Sequence, residues 1–260
     1  MSAVAIKEIE SQIIDRLGQV FDRHEKQPVE ILTSGVSEID QALAGFPRGA
    51  ISEIHGAASC GRTSLMLATL ATATASEETC ALIDCSDTFD LSSARDAGVN
   101  FDRLLWVRCK SNIEHAFKAV DLLLHGGGFG LVVLNLADMP PRTLRRIVST
   151  WWFRFRRAIE NTPAVLLVAA PVACAHSCAA MALELKTQSV WMTPEYSADG
   201  DWEAELVRKN HLSLVPQEQR ETMVTHSRLL HGSSTHVYRQ RPSTAIYHPI
   251  SFTSQNRRPA

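Results

Sequence analysis

The stretch Ile51-Ser-Glu-Ile-His55-Gly56-Ala-Ala-Ser-Cys60-Gly61-Arg62-Thr63-Ser64-Leu65 places a short β-prone run before a helical pattern, with a glycine-bounded loop between them. That order is what a phosphate-binding loop requires. Gly56 and Gly61 let backbone N–H groups turn toward phosphate oxygens, and the dipole of the following helix favours an anion at its N-terminus. The Thr63 hydroxyl stands where a Mg²⁺ ligand belongs, with Ser64 beside it. Where the loop's lysine is expected the chain has Arg62, a planar fork that stays positive but is not a compact ammonium. Gly56, Gly61, Arg62, Thr63 and Ser64 are therefore candidate nucleotide-binding residues of an altered loop, and ATP or ADP with Mg²⁺ is the cofactor in view. The plainer reading, a glycine turn that binds nothing, stays open.

On either side of this loop, apolar β-prone runs alternate with helical ones. Strands are predicted over 50–55, 79–84, 104–108, 130–135 and 164–170, and helices over 63–75, 112–125 and 141–160. Such alternation implies parallel strands joined by crossovers, hence an α/β fold with a mostly parallel sheet flanked by helices. Further strand-like runs at 180–185, 188–193 and 203–209 have no helices between them and predict antiparallel additions at one sheet edge. Ser37 is placed to cap a short helix over Glu38–Leu43.

The ends differ from this core. In residues 1–28, Ile6, Ile9, Ile13 and Leu17 recur at helical spacing opposite charged residues, which predicts an amphipathic helix. Its apolar stripe packs either on its own domain or on a neighbouring protomer or partner. The core is expected over 29–212, followed at 213–260 by an extended basic tail. Residues 222–260 contain five arginines and no acid, together with Pro242, Pro249 and Pro259.

With 260 residues, 45% hydrophobic and 21% charged, the chain has the composition of a globular protein, and its net charge of −2 gives no bulk attraction to nucleic acid. No apolar run approaches the length of a membrane helix. Lys7, Glu8 and Glu10 fall where the apolar stretch of a secretory signal would begin, so a cytoplasmic location is expected. The six cysteines lie mostly in apolar segments and read as reduced core thiols. Cys174-Ala-His176-Ser-Cys178 has no second Cys/His pair at a metal-binding spacing, so no metal site is assigned.

Charge distribution is more informative. Over 142–160, Leu144, Ile147, Val148, Trp151, Trp152, Phe155, Ala158 and Ile159 form one broad helical face. Arg142, Arg145, Arg146, Arg156 and Arg157 lie opposite, with Arg154 at the boundary and no acid until Glu160. Arginines without acidic neighbours repel one another, and DNA phosphates or an acidic protein surface would relieve that repulsion. The alternative is a solvated face.

Thr33-Ser-Gly-Val-Ser-Glu-Ile-Asp40-Gln-Ala-Leu and Gly45-Phe-Pro-Arg-Gly-Ala-Ile-Ser-Glu-Ile-His-Gly56 resemble the approach to the phosphate loop in RecA recombinases. So do Cys80-Ala-Leu-Ile-Asp84 and the segment from Asp90 to Leu105. With gaps, the resemblance covers about residues 30–212 and implies a RecA-like core. It also exposes departures. The glutamate that activates water in that family corresponds to Ser86, the aspartate that helps hold Mg²⁺ to Asn135, and the glutamine that senses the γ-phosphate to Pro171. Asp87, one residue on, is a poor replacement base because a one-residue shift re-aims the side chain. Both DNA-contacting loops are shortened. Lys209 and Asn210 match a segment that reaches the neighbouring protomer's nucleotide, leaving weakened protomer contacts and a homo-oligomer open.

A shortened RecA-like chain with an altered site, an N-terminal helix and a basic tail resembles the ImuA family, the RecA-like accessory proteins of bacterial mutagenesis cassettes. This resemblance implies a non-catalytic adaptor in damage-induced translesion synthesis. The partners it implies are RecA, an ImuB-like inactive polymerase homologue and single-stranded DNA. Two other readings stay open: a divergent recombinase or DNA-dependent ATPase, and a cell-division regulator of the SulA kind.

Overall fold

A computed structural model describes residues 30–191, 230–242 and 250–255. The amphipathic helix expected over 1–28, the strand expected over 203–209, and Lys209 and Asn210 lie outside the described residues.

The chain enters through β1 (Ile31–Leu32), which pairs antiparallel with β2 (Phe46–Pro47) around helix α1 (Ser37–Leu43). Ser37, expected as the cap, is instead the first residue of α1; Val36 occupies the cap position with no side-chain cap bond, while Asp40 reaches back to accept from the Ser34 and Gly35 amides. The predicted alternation then follows: β3 (Ala50–His55), α2 (Arg62–Ala75), β4 (Cys80–Asp84), α3 (Leu91–Asp96), β5 (Leu104–Arg108), α4 (Ile113–Gly126) and β6 (Leu131–Asn135). After α5 (Pro141–Leu144) and α6 (Ser149–Ile159) come β7 (Val165–Ala170), β8 (Ala179–Trp191), β9 (Leu230–Arg241) and β10 (Ile250–Gln255).

Among the described residues, β3 to β10 form one eight-stranded sheet in the order β10-β9-β8-β3-β7-β6-β4-β5, and β1 and β2 pair apart from it. Every pairing from β8 to β5 is parallel, and β9 and β10 add antiparallel. The five strands predicted for the core are all present. Their runs are continuously apolar because both faces are covered, as parallel sheets demand. Successive residues serve opposite layers: Leu131 and Val133 pack with Leu65 and Leu70 of α2, while Val132 and Leu134 pack with Phe117 of α4 and Trp152 and Phe155 of α6.

Three expectations change. The runs at 180–185 and 188–193 belong, as far as Trp191, to one strand, β8, and it joins β3 in parallel; among the described residues only β9 and β10 are antiparallel additions to this sheet, and residues 192 and 193 lie outside them. Residues 230–241 and 250–255, inside the stretch read as a basic tail, are strands of the sheet. Thr235 and Val237 point their side chains into the core, and this alternation was obscured by the surrounding polar residues. The helix expected over 141–160 is two helices. Pro140 and Pro141 start the first, and Val148, with φ −69° and ψ 131°, is extended and interrupts the helical hydrogen bonds. The adjacent β-branched Ile147 and Val148 lower the helical preference at that point.

Candidate functional site

The loop between β3 and α2 lies at the carboxyl ends of the parallel strands, where open α/β sheets place their ligand crevice. Two glycines allow neighbouring strands to approach closely. A Cβ on Gly56 would stand 2.3 Å from the Leu185 carbonyl oxygen of β8. One on Gly61, whose φ is 88°, would stand 2.8 Å from Thr235 Oγ1 of β9. Thr235 is held in turn by Thr187, with 2.8 Å between the hydroxyls. The loop is thus packed from behind by strands that follow it in sequence by more than a hundred residues.

Arg62, the first residue of α2, is only 7% exposed. Its guanidinium donates to the main-chain carbonyls of Gly56, Ala170 (2.9 Å) and Ala137 (3.3 Å). Those carbonyls follow β3, end β7 and follow β6, so one side chain ties three strand ends together. Nε is buried without a hydrogen-bond partner, and no carboxylate pairs with the cation among the described residues. Carbonyl dipoles alone offset the cost of burying this charge.

Asn135 ends β6 in register with Asp84 at the end of β4. Its amide donates to Asp84 Oδ1 at 3.3 Å, and its own oxygen accepts from the Ala137 amide at 3.1 Å. Asp84 is fully buried and its other oxygen accepts from the Phe89 amide at 2.8 Å. These two side chains form a polar link across the strand ends. Ser86 Oγ is buried with no partner. Asp87 turns outward in a left-handed conformation (φ 62°) and meets Arg108 of β5 in a two-pronged ion pair. The Arg108 guanidinium holds its carboxyl below the usual range, which weakens it as a base.

An open cleft of about 520 Å³ lies beside the loop. Thr63, Asp90, Asn135, Asp138 and Pro171 are among the residues lining it, and Arg62 borders it. Thr63 and Ser64 are exposed. The structure therefore gathers the loop residues with Asn135 and Pro171, while Ser86 and Asp87 do not line the cleft. The sequence reading gave Asp138 no role, and only its offset of three residues from a strand end signalled it. Asp90 caps α3, accepting from the Ser93 amide (2.8 Å) and Ser92 Oγ (2.7 Å), and these bonds hold its carboxyl well below the usual range.

The expected basic face divides with its helix. Arg142, Arg145 and Arg146 lie on or just after α5, and Arg154, Arg156 and Arg157 lie on α6; all six are exposed. Arg154 does not join an uncompensated row: it makes two 2.6 Å bonds to the carboxylate of Asp121 on α4. As expected, Trp152 is core, fully buried against Phe117, and Trp151 packs on the same ring. The 142–160 stripe omitted Phe153, which is 54% exposed; its place outside the stripe was the available signal.

A parallel sheet with a glycine loop at its strand ends, followed by a helix, defines a P-loop α/β protein. The RecA N-terminal domain family matches residues 2–144, more than half of the chain, and the chain belongs to that family. It is similar to protein RecA of Deinococcus radiodurans, at 40% identity over 120 residues, which is 45% of this chain and 33% of that protein. It is also similar to protein RecA of Acinetobacter baumannii, at 35% identity over 141 residues, which is 53% of this chain and 40% of that protein. The match to protein RecA of Streptomyces ambofaciens is 33% identity over 141 residues, or 53% and 38%. The chain thus spans between a third and two fifths of the curated relatives it matches. The core is RecA-like, and no helix among the described residues is long and apolar enough to cross a membrane.

Proposed function

We propose that this chain is a non-catalytic RecA-like adaptor in the bacterial response to DNA damage, supporting error-prone translesion synthesis by binding polymerase-type partners, RecA or DNA. The observation that carries this reading is the engagement of Arg62 by three main-chain carbonyls. Phosphoryl transfer requires a mobile or phosphate-facing cation, a metal ligand and a positioned base. Here the cation is tied to the strand ends, the Asn135 amide is tied to Asp84, and Asp87 is tied to Arg108. Membership of the RecA family supports the DNA-repair setting; the translesion assignment rests on the resemblance to the ImuA family.

A second reading has its own observation. The cleft beside Thr63 carries two carboxylates, Asp90 and Asp138, which with Mg²⁺ between them and the phosphates would suit a nucleotide held as a passive ligand. The two readings are compatible, since neither includes turnover.

The deciding experiment is ATP hydrolysis by the purified chain, with and without single-stranded DNA and Mg²⁺, beside Arg62→Ala. The adaptor reading expects no turnover in any condition. Turnover that Arg62→Ala abolishes would replace it with a diverged DNA-dependent ATPase. A thermal shift with ATP or ADP but no product would assign the passive pocket.

A further inference from the structure

Two large apolar side chains stand in solvent where the arginines cluster: Val148 is 59% exposed and Phe153 is 54% exposed. On a helix, Phe153 neighbours the residues three and four positions on, which are Arg156 and Arg157. Another element reaches the same place. Helix α6 packs against the 3₁₀ turn His176–Cys178, and Arg241 of β9 donates to the His176 carbonyl. Burial pushes the Cys178 thiol up and the Arg156 and Arg241 charges draw it down, in keeping with the packing of α6 on that turn and the Arg241 bond to it. None of Arg156, Arg157 and Arg241 has a carboxylate partner among the described residues, in contrast to Arg154.

We propose that Phe153, Arg156 and Arg157 of α6, with Arg241 of β9, form a docking surface for an acidic protein segment that carries a large apolar side chain. Charge complementarity selects an anionic partner. Three features favour protein over nucleic acid. Arg156 and Arg157 lie one helical turn from the large exposed apolar side chain of Phe153, which a phosphate backbone would leave uncovered. The exposed aliphatic Val148, at the start of α6, has no ring on which a base can stack. The chain's net charge of −2 is also unlike the basic footprint of a nucleic-acid-binding domain. Aromatic and arginine side chains are enriched in protein–protein interfaces. The acidic segment supplies the charge that this surface lacks.

This inference deepens the adaptor reading and rests on it only for the premise that the chain binds a protein. The probe is a labelled peptide in which aspartates flank a single phenylalanine, titrated with the full chain and followed by fluorescence anisotropy. Saturable, salt-sensitive binding is expected, weakened at least about tenfold by Phe153→Ala, by Arg157→Glu, or by alanine in place of the peptide's phenylalanine. Lys118→Glu, an equal charge change on α4, should leave binding intact. Phe153→Ala should retain the parent melting temperature, since that ring is largely solvated. Absence of peptide binding, or binding indifferent to Phe153→Ala, overturns the proposal. So does tighter binding of labelled oligothymidylate that Arg157→Glu abolishes, which would make the surface a nucleic-acid site. None of these results depends on ATP turnover, so failure here is separable from failure of the adaptor reading.

Discussion

The Arg62 guanidinium donates to the Ala170 carbonyl at 2.9 Å, joining the first residue of α2 to the last residue of β7. The helix that should present a cation to phosphate uses it to fasten the sheet. Arg62→Lys should therefore destabilise the protein, because an ammonium on a single stem cannot reproduce the fork that spans three carbonyls. Leaving one or two of these carbonyls unpaired costs roughly 1–3 kcal/mol. Urea denaturation measures it, and a lysine variant as stable as the parent would show that the fork is dispensable.

Asn135→Asp restores the acid that the RecA resemblance leads one to expect, but it would stand beside the fully buried Asp84. Two neighbouring carboxylates disfavour double ionisation, so the introduced group's folded-state pKa lies above its unfolded value. A raised folded pKa means stability that is present at low pH and lost as pH rises through that value. The variant should thus be less stable than the parent at neutral pH and approach it in acid, as read from melting temperatures across pH. Recovery at neutral pH on adding Mg²⁺ would reveal a latent metal position.

Arg154 and Trp152 lie two residues apart on α6 and should differ sharply. In the Arg154–Asp121 pair the Arg154 side chain is 58% exposed and that of Asp121 13%, so Arg154→Ala should cost about 1 kcal/mol. Trp152 is fully buried against Phe117 and Phe155, and Trp152→Ala should cost roughly 3–5 kcal/mol. Denaturant unfolding of both variants tests whether α6 is anchored by its aromatic face.

Asp90 connects pH to the cleft. Its carboxyl is held low by the Ser93 and Ser92 bonds, so its support for α3 is present above the ordinary aspartate range and lost as pH falls through the lower folded value. Protection of the Ser93 amide, its exchange rate relative to the intrinsic rate at the same pH, should fall in acid in the parent. Asp90→Asn, which can still accept at the cap, should remove that acid dependence of protection, and Asp90→Ala should leave the amide weakly protected at every pH.

Much of the fold was legible because its signals are local. The continuous apolar runs at Ala81–Ile83 and Leu131–Leu134 could belong only to strands covered on both faces, and the glycine loop after His55 fixed where a ligand crevice opens. Strands β9 and β10 escaped detection because Thr235 and Val237 are core positions separated by polar residues, and their pairing with β8 bridges a long sequence interval. The break at Val148 was hidden because an apolar stripe at helical spacing runs through it uninterrupted, whereas its extended backbone registers only as a dihedral angle.

The sequence alone therefore determined the α/β alternation, the phosphate-loop context and the identities Arg62, Ser86, Asn135 and Pro171, since each depends on residue type and spacing along the chain. Only tertiary structure decided what those residues touch. Arg62 meets carbonyls from residues 56, 137 and 170, Asn135 meets Asp84 across two strands, and Arg154 finds Asp121 on another helix. Hydrogen bonds and ion pairs act over a few ångströms of space, and the folded sheet, through the order of its strands, sets which distant residues come within that range.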